Sequence, residues 1–124
     1  MKDPSNPVCR TISTLLSRIG DKWTVLVVGT LADGSKRFNE LRREIPSVSQ
    51  RMLTLTLRNL ERDGLVSRVV TPSIPPRVDY TLTELGHSLQ GPISALAQWA
   101  LDNVEAIHQA QARFDAEADK AEAA

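Results

Sequence analysis

Gln50, Arg51, Thr54 and Arg58 place an amide, two guanidinium groups and a hydroxyl along one side of a segment, Gln50 to Asp63, whose Leu53, Leu57 and Leu60 recur at helical spacing on the other side. Glutamine and arginine offer paired donors and acceptors, the chemistry that base edges in the major groove of B-DNA require. Threonine adds a methyl for thymine or a hydroxyl for phosphate. Ser49 stands where the N-cap of that helix should fall, so its hydroxyl and the free N–H groups of the first turn suit a phosphate. Arg37 and the arginines of the preceding helix, Arg42 and Arg43, ahead of this segment and Arg68 and Arg77 behind it are cations of the kind that contact the backbone of a duplex. Arg77, set among prolines and β-branched residues, could also enter an adjacent minor groove. Each of these residues has a plainer reading. Arginines on an amphipathic helix are most often a solvated face, and Arg68 and Arg77 could be cross-strand surface charges.

The elements that must position these residues follow in a telling order. Ile12, Leu15, Leu16 and Ile19 predict a first amphipathic helix over Val8–Ile19, with Pro7 suited to its first turn and Gly20 to its end. Asp21 should cap a second, Lys22–Ala32, whose Trp23, Leu26, Val27, Val28 and Leu31 place it at the centre of the core. Ser35–Arg37 is too short to assign by periodicity and could pair with a later strand. Phe38, Leu41 and Ile45 predict a short helix ended by Pro46, with Glu40, Arg42, Arg43 and Glu44 outward. Ser47–Ser49 makes the turn into the Gln50–Asp63 helix, which Gly64 stops. Leu65–Thr71 and Arg77–Leu82 read as two strands, with the prolines of Pro72–Pro76 forming a stiff hairpin tip. Thr83 should cap a last long helix carrying Leu85, Leu89, Ile93, Leu96, Ala100, Val104 and Ile107, bent at Gly91–Pro92. Helix, turn, capped helix, glycine, strand, proline tip and strand together are specific to a winged helix-turn-helix, although no single piece is.

Charge supports the same reading. The chain of 124 residues has no net charge, with 41% hydrophobic and 24% charged residues. Yet residues 35–78 hold nine basic side chains against four acidic ones, whereas residues 79–124 hold two against eight. A nucleic-acid footprint is a local patch, so the zero sum is a poor guide. One domain is expected, residues 1–114, followed by an acidic, alanine-rich tail at 115–124 able to fray. No run approaches the ~18 apolar residues of a membrane span, and the N-terminus lacks the basic start and apolar stretch of a signal peptide, so a cytoplasmic protein without membrane contact is expected.

Enzymatic and metal chemistry find little support. The chain lacks a glycine-rich phosphate loop, and its single cysteine, Cys9, lies far along the chain from His87 and His108, so neither a zinc cluster nor a Cys-His pair at a recognisable spacing is present. No cofactor, no metal and no catalytic residues are expected. The rival to DNA binding is a winged-helix protein-interaction module, which would show no salt-dependent affinity for duplexes. Trp23 and Trp99 either line an effector pocket at a dimer interface or simply pack, which large aromatics on helical stripes do more often. Cys9 stands near a helix start beside Arg10, surroundings in which a thiol reacts readily, yet an unmodified cysteine is more often inert packing.

The strings Gly20-x-Lys22-Trp23-Thr24, Asp33-Gly34-x-x-Arg37-Phe38-x-Glu40-Leu41, Ser49-Gln50-Arg51-Met52-Leu53-Thr54, Leu57-Arg58-x-Leu60-Glu61-x-x-Gly64-Leu65-Val66 and Pro75-Pro76-Arg77-Val78-x-Tyr80-Thr81-Leu82-Thr83-x-x-Gly86 resemble the HxlR-type bacterial transcription regulators, relatives of the MarR group. The match runs from about Pro7 to Trp99. The resemblance implies a mainly α fold with a small antiparallel β wing, a bacterial source, a homodimer formed through the N- and C-terminal helices, and a recognition helix starting at Ser49. It implies a regulator that binds double-stranded DNA, by default a repressor on a palindromic operator, responding to an oxidant, an electrophile or another small-molecule effector. Some members of the family sense such signals through a cysteine near the start of the first helix, the window that holds Cys9. Their commonest order, Cys-Pro-Val, is here Pro7-Val8-Cys9.

Overall fold

The computed structural model describes residues 6–123. The expectations for residues 1–5, including those about a signal peptide and the first residues of the domain, and for Ala124 at the end of the tail, lie outside the described residues. The core gathers around α2 (Lys22–Leu31) and α4 (Gln50–Arg62), where Val27, Val28, Leu31, Leu53, Leu57 and Leu60 are almost completely shielded from water. The apolar spacing of both helices, with few polar residues on the facing sides, is what drives them together. Asp21 caps α2 by accepting from the backbone N–H of Trp23 at 2.8 Å.

The first helix, α1 (Pro7–Ile19), begins one residue earlier than its apolar spacing indicates. Asn6 caps it by accepting from Val8 N–H at 2.8 Å, and Pro7 occupies the first turn, where its missing N–H costs nothing. Arg18 near its end pairs with Asp63, the residue that closes α4. A carboxylate at a helix C-terminus opposes the negative end of the helix dipole, so Arg18 both neutralises Asp63 and ties α1 to the far end of α4.

Ser35–Arg37 contributes a single bridge rather than a strand. Lys36 and Tyr80 exchange backbone hydrogen bonds of 3.0 and 2.8 Å, and the Ser35 and Thr81 hydroxyls lie 2.6 Å apart. Then α3 (Phe38–Glu44) leads through a turn pinned by the buried Ile45 and Val48 into α4. The wing is two antiparallel strands, β1 (Val66–Thr71) and β2 (Arg77–Leu82), in register from Val66 opposite Leu82 to Thr71 opposite Arg77. Between them Pro72–Pro76 forms the tip.

A lock joins the end of α4 to the end of the wing. Gly64 takes a left-handed φ of 78°, which other residues adopt only with strain, and turns the chain out of α4. The Thr83 hydroxyl donates to the Gly64 carbonyl at 2.6 Å and accepts from Gly86 N–H at 3.0 Å, while Thr83 N–H donates to Leu65 O. Gly86 approaches so closely that a Cβ there would stand 2.1 Å from the Leu65 carbonyl oxygen.

The last helix differs from its expectation. It is two helices, α5 (Glu84–Ser88) and α6 (Gln90–Ala123), and the break falls at Leu89, ahead of Gly91–Pro92. Restarting the helix there puts Pro92 into the first turn of α6, so the proline needs no kink. Helical backbone continues through the acidic stretch to Ala123. The contacts divide the chain into two compact units, one ending at Gln90 and the other comprising Gly91–Ala124. No described side chain of α6 is buried, although Leu96, Trp99, Leu101, Val104, Ile107 and Phe114 are all large and apolar.

Candidate nucleic-acid interface

The exposed side of α4 is built by its own buried side. Leu53, Thr56, Leu57 and Leu60 fix the helix's rotation, and the 3.6-residue period then turns Gln50, Arg51, Thr54 and Arg58 to solvent. Ser49 caps the helix, its Oγ accepting from Met52 N–H at 3.0 Å. That bond leaves other first-turn N–H groups pointing out of the N-terminus, where an anion is favoured. The Thr54 hydroxyl donates to Gln50 O at 2.9 Å, so what it offers outward is its methyl and oxygen lone pairs. The thymine-methyl contact therefore fits it better than donation to a phosphate.

On the other side of the turn, Arg37 precedes α3 as its N-cap, its backbone N–H held by Glu40 Oε1 at 3.1 Å and its side chain exposed. The bridge between Lys36 and Tyr80 sets where this residue leaves the wing. Arg42 and Arg43 are also exposed on α3, whereas Lys36 is committed to Glu44 at 3.2 Å.

Arg58 and Arg68 come together. With Thr54, Leu57, Glu61 and Tyr80 they line an open cleft of about 370 Å³ between α4 and the wing. Two guanidinium groups facing one carboxylate leave this cleft cationic, able to hold a phosphate between helix and wing. Arg77 stands apart at the tip end of β2. Its Nε donates to Asp79 Oδ2 at 3.0 Å, a pairing that the period of two along a strand makes possible. Its side chain remains half exposed.

Cys9 is buried in the first turn of α1, with 9% of its surface exposed. Trp23 is half-buried in α2, with the Lys22 ammonium 4.4 Å from its ring centroid, and Trp99 is exposed on α6. Among the described residues no group of three or more His, Cys, Asp or Glu side chains could hold a metal ion, and no helix is long and apolar enough to cross a membrane.

Two helices joined by a tight turn, the second capped and cationic on its free face, with a two-stranded ribbon beside it, define a winged helix-turn-helix protein. The family described as HxlR-like helix-turn-helix matches residues 18–108, and the chain belongs to it. It is a family of transcription regulators, not of enzymes. An HTH-type transcriptional regulator of Methanothermobacter thermautotrophicus is 49% identical over 89 residues, spanning 72% of this chain and 68% of that protein. Among solved structures, the redox regulator HypR in its reduced form is 42% identical, covering 80% of this chain and 98% of that one with a TM-score of 0.72. The reduced form of the transcriptional regulator YodB from B. subtilis is 40% identical, covering 73% and 88% with a TM-score of 0.67.

Proposed function

We propose that this regulator is a cytoplasmic, sequence-specific DNA-binding repressor that acts as a homodimer on a palindromic operator. Gln50 and Arg51 read base edges and Thr54 contacts a thymine methyl. Ser49, Arg37, Arg58, Arg68 and Arg77 hold the phosphate backbone. The observation that carries this reading is the capped α4, whose buried leucines leave Gln50, Arg51, Thr54 and Arg58 free together on one face.

Dimerisation is supported by α6, a 34-residue helix with no buried side chain among those described and a row of exposed apolar ones, and by Val8, Leu15 and Leu16 exposed on α1. Apolar faces of this extent call for a partner surface, and a two-fold copy of the same helices supplies one. Residues 1–114 then act as one winged domain with its dimerisation helices, Trp99 lying in the interface, and 115–124 as a tail. In such a dimer the two recognition helices stand ~34 Å apart, one duplex turn, and binding occludes a promoter without further machinery.

HypR is a redox regulator, and Cys9 is the one thiol through which an oxidant could act here. Its burial supports a packing role, so operator binding is expected to persist in Cys9→Ser and to be unchanged by diamide. Selection of bound duplexes from a random library, with and without diamide, tests the whole reading. A palindromic consensus recovered in both conditions is expected. Recovery of no consensus, with affinity indifferent to salt, would favour the protein-interaction module instead.

A further inference from the structure

Leu55 is an apolar side chain on the side of α4 that the core does not use, with 50% of its surface open to water. At about 100° per residue it lies further round from the buried Leu53, Leu57 and Leu60 than Gln50 or Thr54 does. Arg51 and Asn59 stand one turn to either side of it, and Arg58 three residues on. Thr54 leans the other way, into the cleft with Arg58, Arg68 and Tyr80, whereas Leu55 stands with Met52 and Asn59 on the flank facing α1 and α2. Alanine would suit the helix there at least as well, so helix formation does not explain the leucine.

Its neighbours narrow what it can meet. Arg51, Arg58 and Arg62 are all exposed around it, and among the described residues no carboxylate is paired with any of them. Glu61, the one acidic residue within α4, lies six residues on and lines the wing cleft. An apolar protein patch laid over Leu55 would strip water from these guanidinium groups without giving them partners, at a cost greater than burial of the leucine returns. The major groove answers both kinds of side chain. It offers phosphate and base acceptors to the arginines, and the C5 methyl of thymine as an apolar group on the base edge.

We propose that Leu55 is a further specificity-determining residue, which reads the C5 methyl of one thymine in each half-site by apolar contact and so fixes a base pair that Gln50, Arg51 and Thr54 leave open. The inference rests on the DNA-binding reading above. Leu55 stands ~6 Å along α4 from Arg51, close to two base-pair steps of ~3.4 Å, so its thymine falls within two base pairs of the one that Arg51 holds. It is not the thymine of Thr54, because the two side chains leave α4 on opposite flanks.

The test uses the full-length protein and an operator recovered by the library selection, with each thymine replaced singly by deoxyuridine. That change deletes the methyl and leaves every hydrogen-bonding group of the base pair in place. The base pair held by Arg51 is the one at which Arg51→Ala relaxes preference. Within two base pairs of it, one replacement should weaken wild-type binding about three- to fivefold. Leu55→Ala should bind the thymine and uracil operators equally at that position, with an affinity near that of wild type for the uracil operator. Leu55→Met and Thr54→Ser should both keep the discrimination. Because alanine favours a helix and Leu55 is half exposed, circular dichroism of the variants should match wild type. Wild-type indifference to every such replacement, a selected half-site with no thymine there, or a penalty that survives in Leu55→Ala overturns the assignment. So does a penalty that Thr54→Ser removes, since the threonine would then hold that methyl. Each of these leaves the DNA-binding reading standing while Arg51→Ala loses operator preference, whereas a wild-type protein with no preference among duplexes overturns both.

Discussion

At the residue scale, Arg51 and Arg77 should fail differently. Arg51→Ala is expected to cost roughly 1 to 3 kcal/mol of operator affinity and to relax preference at one base pair, because the proposed function gives this side chain a paired contact to a base edge. Arg77→Ala should weaken all duplexes alike and by less, since its charge is already partly met by Asp79, which its Nε–H reaches at 3.0 Å. Competition titrations against single-base operator variants check both. Gln50, Arg51, Thr54 and Arg58 were legible in the sequence because leucines four and three residues apart declare which side of a helix is buried. The Arg77–Asp79 pair and the Lys36–Glu44 pair are not legible in the sequence, because each follows from strand register or from two segments meeting in space. The commitment of the Thr54 hydroxyl to Gln50 O is likewise a matter of rotamer, on which periodicity is silent.

At the element scale, α4 is only as well placed as the lock that ends it. Gly86→Ala must displace either the Leu65 carbonyl or α5, and is expected to destabilise the protein by about 2 to 3 kcal/mol in urea unfolding. Gly29→Ala, in the exposed interior of α2 with nothing near its Cβ, should instead stabilise by about 0.5 to 1 kcal/mol. Arg18→Ala leaves Asp63 mostly buried beside the negative end of α4 without its partner, and should cost about 2 to 3 kcal/mol. Most element boundaries could be read within a residue or so, because proline, glycine and short polar caps mark them locally. What could not be read was why Gly86 follows Thr83, or that Arg18 reaches Asp63, since both depend on contacts between segments distant along the chain. The restart at Gln90 eluded the periodic pattern for a simpler reason. Pro92 is compatible both with a kink inside one helix and with the first turn of a new one.

At the scale of the whole molecule, the exposed apolar row of α6 and the separation of charge make opposite demands, one for a copy of the chain and one for a polyanion. Leu96→Lys should weaken self-association by about 2 to 4 kcal/mol through lost burial and an unpaired interfacial charge, seen as monomer in sedimentation at micromolar protein. The same variant should bind half-sites without cooperativity. Wild-type protein that sediments as a monomer at that concentration would contradict the dimer outright. The most direct test of the central claim is the affinity of wild-type and Arg51→Ala protein for the selected operator and for a scrambled duplex, followed across salt concentration. The expected result is a steep, nearly parallel fall with salt on both duplexes, with the operator held far more tightly by wild type and much of that advantage gone in Arg51→Ala. Equal binding of operator and scrambled duplex by wild type, or an operator preference untouched by Arg51→Ala, would contradict the assignment of α4 as the element that reads DNA.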